Sequence, residues 1–363
     1  MATYYITWLS VVILGFVMRA YDHPEKSIKG ERIHHPVQTT VAFCVAVSIL
    51  SFVGGLRYRV GADYMPYYSL HSYYMDVLLQ NIKTLSEPGI SILYRIATLF
   101  YDDPASCIFL CAAVTAVLGL IVVYRHSENL MLGMLLYVFV VWHTCFNGIR
   151  QALAVSVLFC GYSSLKERQL LKWCLAVFAA FLFHRSSAVL AIMFFLVHRR
   201  IKLTYVIALF VGTFFLLRLY NRLFELIGWL MDKQDYVAYH EEGGSNYISR
   251  SVNILRILFE VFPAAFFMFN LGQKERTEEM DFYLNLLLIH AALAITTMGS
   301  AYMARMSLYT MPFAIVAICN LMPELGRGKA IWSPAFVCAF AFFGWYEIYN
   351  NSSLQPFRWI WER

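Results

Sequence analysis

Apolar runs of about 20 residues, the length that crosses roughly 30 Å of hydrocarbon, recur along this chain. They lie near 2–20, 37–57, 104–124, 129–146, 203–222, 251–271, 281–298, 302–322 and 331–350. Two longer stretches are too long for one span each. Residues 129–165 would make a helix of about 55 Å at about 1.5 Å per residue, so a break is expected at Asn147-Gly148. Residues 169–198 pose the same problem, with His184-Arg185-Ser186-Ser187 as the expected break. Splitting both predicts an all-α polytopic membrane protein of about twelve transmembrane helices, between about 11 and 13. A single domain over 1–363 is expected, with polar outer loops at about 58–103 and 223–250. The first loop holds a short amphipathic outer helix, Pro88 to Tyr101, too short to span and expected to lie in the interface or re-enter the membrane. The second carries Asp232, Lys233, Asp235, His240, Glu241 and Glu242 and reads as a solvated, lid-like loop rather than a cation site.

Composition supports a protein dissolved in lipid. The chain is 60% hydrophobic and 14% charged, with a mean hydropathy of +0.58. Soluble domains sit nearer half apolar and a quarter charged. A soluble globular enzyme, a disordered chain and a secreted disulfide scaffold are excluded. Its 8 cysteines show no CxxC spacing, so zinc and redox pairs are not expected. The apolar N-terminus has no basic leader region and reads as a retained first span. Short loops dense in Lys and Arg, at 19–36, 164–172, 198–202, 274–276 and 327–329, fall on one side if the spans alternate. That side is assigned to the cytoplasm, which turns both termini outward.

The unusual polar groups gather at the opposite face. They are Arg57, Arg59 and Asp63; Asn147, Arg150 and Gln151; His184, Arg185, Ser186 and Ser187; and Tyr302, Arg305 and Tyr309. The last three are spaced i, i+3 and i+7 and share a helix face. A charge at membrane depth costs about 2.5–3.5 kcal/mol on insertion scales, so convergence of several argues for a polar cavity. Arginine presents a permanently charged planar fork that matches phosphate oxygens in pairs. Four of them, Arg57, Arg59, Arg150 and Arg305, suit a diphosphate whose lipid tail stays in the bilayer. The alternative for each is interfacial snorkelling. No P-loop, GxGxxG, GxSxG or HExxH stands in a fitting context, and neither a cofactor nor a metal is expected.

These residues carry a resemblance. Arg57-Tyr-Arg-Val-Gly-Ala-Asp63-Tyr64-Met-Pro-Tyr67 resembles the Arg-x-Gly-x-Asp-Tyr-x-x-Tyr signature of the EpsG family. Asn147-Gly-Ile-Arg150-Gln151-Ala-Leu-Ala154 resembles its Asn-x-x-Arg-Gln-x-x-Ala motif, and Phe183-His184-Arg-Ser186-Ser187-Ala188 its Phe-His-x-Ser-Ala motif. Arg305 with Tyr309 resembles its late Arg/Tyr pair, and the basic Arg185 is a departure. The family is similar to Wzy-type O-antigen and exopolysaccharide polymerases. The resemblance implies a GT-C-like glycosyltransferase in the bacterial inner membrane, joining undecaprenyl-diphosphate-linked repeat units on the periplasmic face. The implied partners are the lipid-linked donor and acceptor glycans, membrane lipid and a chain-length regulator, with no nucleic acid.

For that chemistry His184 is the first candidate to activate the acceptor hydroxyl and Asp63 the second. The bland alternatives are a helix-end histidine bonded to a carbonyl, and an Asp63 ion pair with Arg57 or Arg59. Asn147, Gln151, Arg185 and Ser187 are support candidates, and Tyr64, Tyr67, Tyr302 and Tyr309 are candidate sugar contacts. A lipid-linked-sugar flippase, a membrane O-acyltransferase and the related lipid A ligase are the rival readings.

Overall fold

The computed structural model describes residues 1–22, 25–26, 32–33, 37–213, 215, 254–271, 275–296 and 306–363. The expected lid at 223–250, and Tyr302 and Arg305, lie outside the described residues. Along the chain come α1 (Ala2–Tyr21), a two-residue ladder of β1 (Glu25–Lys26) with β2 (Arg32–Ile33), and α2 (Val37–Gly55). Four short helices follow: α3 (Tyr64–Ser69), α4 (His71–Asp76), α5 (Leu78–Thr84) and α6 (Pro88–Thr98). Then come α7 (Pro104–His126), α8 (Leu130–Leu136), α9 (Ile149–Cys160), α10 (Tyr162–Lys166), α11 (Leu170–Phe181) and α12 (Met193–Leu196). The rest is α13 (Leu203–Thr213), α14 (Ile254–Leu271), α15 (Glu278–Thr296), α16 (Ser307–Leu321) and α17 (Lys329–Asn350).

Among the described residues, α1, α2, α7, α14 and the run Ser307–Asn350 are long and apolar enough to cross a membrane. The surface of α1 shows why water is the wrong solvent. It buries Tyr4, Trp8, Val11 and Met18 but exposes Ile6, Leu9, Ile13 and Phe16 along one stripe. An apolar stripe turned outward on a helix long enough to cross a bilayer fits contact with lipid.

Two compact units are present, Met1–Phe194 with Met322–Arg363, and Phe195–Leu321. In the first, α2 packs against α1 and α7, α7 against α9, and α9 against α11. Local chemistry sets the ends. Asp103 caps α7 by accepting from Ala105 N at 2.7 Å, with Pro104 at the first helical position. Asn129 caps α8 by accepting from Leu132 N at 3.0 Å. In the second unit α14 packs on α15 and α15 on α16. There Arg256 Nε donates to Glu260 at 2.9 Å, His290 Nδ1 lies 3.0 Å from the Thr310 hydroxyl, and Tyr309 is fully buried.

Both expected breaks occur. α8 widens into a π turn at Tyr137–Trp142, and the chain then turns through Gly148 at φ +74 before α9. After α11, His184 is extended and Arg185–Ile192 winds as a 3₁₀ helix, with Ser187 N on His184 O at 3.1 Å. A full α-helix was expected in that second half; only Met193–Leu196 is α-helical. The segment 58–103 also differs from the expected outer loop. Three of its four helices, α3, α4 and α6, build a tyrosine-rich core of Tyr64, Tyr67, Tyr74 and Tyr94 against Cys107, Cys111, Ile149 and Leu153. The amphipathic stretch from Pro88 is the helix α6, whereas a reading based on span length passes over the helices of 6 to 7 residues before it.

Candidate functional site

The site is built in the first unit, where the segment after α2 meets the turn before α9 and the break after α11. Arg57 opens that segment, and it is 2% exposed. Its Nε donates to Val60 O at 3.0 Å, Nη1 donates to Gly54 O, and the guanidinium lies 4.6 Å from the Phe146 ring centroid. Its fork is therefore spent largely on backbone carbonyls and an aromatic face. Arg59, with φ +54, is exposed and lies over Tyr58 at 5.3 Å.

Gly61 and Asn147 shape the next turn. Gly61 has φ +101, and a Cβ there would sit 2.1 Å from Phe146 O. Gly61→Ala is expected to cost more than about 1 kcal/mol and to lower the thermal unfolding midpoint in detergent. An unchanged midpoint would show that the turn tolerates a side chain. Asn147 Oδ1 accepts from Ala62 N at 2.6 Å and from the Ser353 hydroxyl at 3.3 Å. Asp63 then sits at the N-terminal end of α3, partly exposed and beside Gly148. Among the described residues it makes no ion pair with Arg57 or Arg59.

A C-terminal strap closes over this motif. Ile360 N donates to Leu56 O, Tyr58 N to Arg358 O and Gly61 N to Ser353 O, each at 2.8 Å. Arg363 grips Asp103 with two hydrogen bonds of 2.7 and 2.8 Å. The strap satisfies backbone groups that the sharp turns of 56–61 leave without a helix or sheet partner.

The densest chemistry lies around Glu87, which the sequence reading did not single out. Arg150, in the first turn of α9, donates from Nη1 to Glu87 Oε2 at 2.5 Å and from Nε to the Tyr67 hydroxyl at 2.8 Å. His184 Nδ1 lies 2.9 Å from Glu87 Oε1, which also accepts from Arg185 N at 3.0 Å. Arg185 Nη2 donates to the Ser86 hydroxyl at 2.6 Å. Burial pushes the Glu87 carboxyl up, but the His184 hydrogen bond and the Arg150 charge outweigh it and hold the group at about 2. Glu87 is thus an anion at any working pH. Its side chain is 12% exposed, against 23% for His184 and 36% for Arg150. The histidine and the arginine are therefore the solvent-reachable members.

Local packing sets this geometry. Glu87 precedes Pro88-Gly89 at the start of α6, in a left-handed conformation of φ +51 and ψ +53. A Cβ on Gly89 would fall 2.7 Å from the Phe183 ring, and Gly89 N donates to Leu182 O at 2.8 Å. The start of α6 is thereby pressed onto the residues before His184. The one sequence signal that could have found Glu87 is its Glu-Pro-Gly setting, which also marks many ordinary helix starts.

Of the expected site residues, Arg150, His184 and the backbone N of Arg185 meet on one carboxylate, and Tyr67 joins them through Arg150. Asn147 braces the neighbouring turn, and Gln151 is buried one position beyond Arg150. Tyr64 and Ser187 are fully buried, each with a hydroxyl that has no partner among the described residues. Tyr309 belongs to the second unit.

Comparison with known proteins adds one match. A family model described as the EpsG family matches residues 40–359. No curated protein and no solved structure matches the chain.

Proposed function

The chain belongs to the EpsG family, and on that premise we propose that it is a membrane polysaccharide polymerase acting on polyprenyl-diphosphate-linked oligosaccharides. The coarse part follows from the family and the apolar helices: this is a multi-pass membrane protein of the polysaccharide-polymerase type. The finer reading assigns about twelve spans in a GT-C-like arrangement and a site facing the periplasm. It takes undecaprenyl diphosphate as the lipid carrier of both substrates and a chain-length regulator as a partner.

In this reading Arg150 holds the donor diphosphate. Among the described residues two of its five N–H groups are used, by Glu87 and Tyr67, which leaves three for phosphate oxygens. Arg59 adds a second cation, and Arg57 serves as the buried anchor of the motif's backbone. The acceptor hydroxyl attacks the anomeric carbon of the donor, whose bond to the phosphate oxygen breaks. The electron pair leaves with the diphosphate, which the arginines stabilise without a separate acid. The hydroxyl proton passes to His184, with Asp63 as the second candidate.

The observation that carries this proposal is the meeting of Arg150 and His184, from two separate motifs, on the same carboxylate. A base and a phosphate-binding fork within one side chain's reach are what glycosyl transfer from a diphosphate requires. The test uses purified protein in lipid vesicles with a polyprenyl-diphosphate-linked repeat unit and no nucleotide. A ladder of longer lipid-linked glycans is expected. Intact protein that lengthens nothing, or that needs a nucleotide sugar, would end the proposal.

A further inference from the structure

Glu87 has no role in the transfer described so far, yet it touches both of its principal residues. We propose that Glu87 is the positioning residue that fixes the His184 tautomer, so that Nε2 is the atom that accepts the hydroxyl proton. This rests on the reading of His184 as the base.

An ionised carboxylate can only accept hydrogen bonds. The 2.9 Å contact therefore requires the proton on His184 Nδ1, and the neutral ring carries its lone pair on Nε2. Among the described residues Nε2 makes no hydrogen bond. Three donors hold the carboxylate in place: the imidazole and the Arg185 backbone N on one oxygen, and Arg150 on the other. A carboxylate pinned this way cannot rotate to release the ring. It also ties the base and the phosphate-binding fork to one rigid group, so the hydroxyl and the diphosphate are presented at a set separation. The left-handed backbone of Glu87 is a conformation that non-glycine residues adopt only when their surroundings compel it. When the ring takes the hydroxyl proton at Nε2, the Nδ1 proton stays where it is, facing the carboxylate. Glu87 itself never gains a proton, as in other carboxylate-oriented histidines.

Glu87→Gln tests this. The Arg150 charge holds the amide oxygen at the Oε2 position, which puts the NH₂ at the Oε1 position facing His184 Nδ1, so the ring no longer has an acceptor for an Nδ1 proton and its proton moves to Nε2. In the vesicle assay kcat is expected to fall by about 10²–10⁴-fold, with KM within about threefold. Glu87→Asp, which keeps the acceptor chemistry at a shorter reach, is expected to recover part of the loss.

The decisive readout is the ¹⁵N spectrum of histidine-labelled protein, with the His184 ring assigned by its absence in His184→Asn. Wild type is expected to show the Nδ1–H tautomer and Glu87→Gln the Nε2–H tautomer. An Nε2–H ring in the wild type overturns the inference, whether or not the variant folds. So does a Glu87→Gln protein whose kcat stays within threefold. A wild-type protein that makes no polymer would instead defeat the function proposed above, because the tautomer is read without turnover.

Discussion

Arg150→Ala is expected to lower the rate of chain extension by about 10²–10³-fold, the usual cost of removing one donor aimed at developing charge. Two losses combine. The donor diphosphate loses its planar fork, and Glu87 loses its 2.5 Å partner. The second loss is partly structural, because a buried carboxylate left short of a cation is destabilising. The guanidinium is 36% exposed, however, so solvent screens the pair, and Glu87 keeps its bonds from His184 and Arg185 N. Arg150→Lys separates the two effects. It leaves a cation beside Glu87 but removes the fork and the bond to Tyr67. That variant is expected to unfold at the wild-type temperature and still to be at least about tenfold slower. Polymer length on gels and thermal unfolding in detergent give the two readouts. Wild-type chain extension in both variants would remove Arg150 from the phosphate site.

His184→Asn carries the second large effect. The asparagine amide can still donate toward Glu87 Oε1, so the break after α11 should hold its shape. It offers no group able to take a proton. A loss of about 10²–10⁴-fold is expected, the range for removing a positioned base. Most of it should appear in kcat, because the hydroxyl is still bound. A rate within threefold of wild type would move the role to Asp63, which lies partly exposed beside Gly148. Asp63→Asn in the same background would then show the loss instead.

Much of this was present in local sequence. The apolar runs that became α1, α2 and α7 were readable from length alone, because lipid demands about 20 apolar residues per crossing. The break at Asn147-Gly148 was readable because glycine adopts a positive φ without strain. Arg150 and His184 stood out as polar groups inside apolar runs. The helix α6 was readable as the amphipathic stretch from Pro88, but the three shorter helices before it were not, since each is far shorter than a span and their tyrosines look like an interfacial belt. Arg57 shows how far the fold reshapes a residue's surroundings. It appears in sequence as a phosphate ligand, and in the fold its donors meet Gly54 and Val60 carbonyls.

The amino-acid sequence by itself determined that the chain lives in lipid, where its helices break and which cations and bases were available. Those properties depend on composition and on neighbours a few residues apart. Only the tertiary structure decided that Glu87, Arg150 and His184 share one site, that the strap at 353–363 holds the first motif, and that Arg57 turns inward. Residues 63 and 97 positions apart meet through packing of whole helices, and no local pattern encodes that meeting.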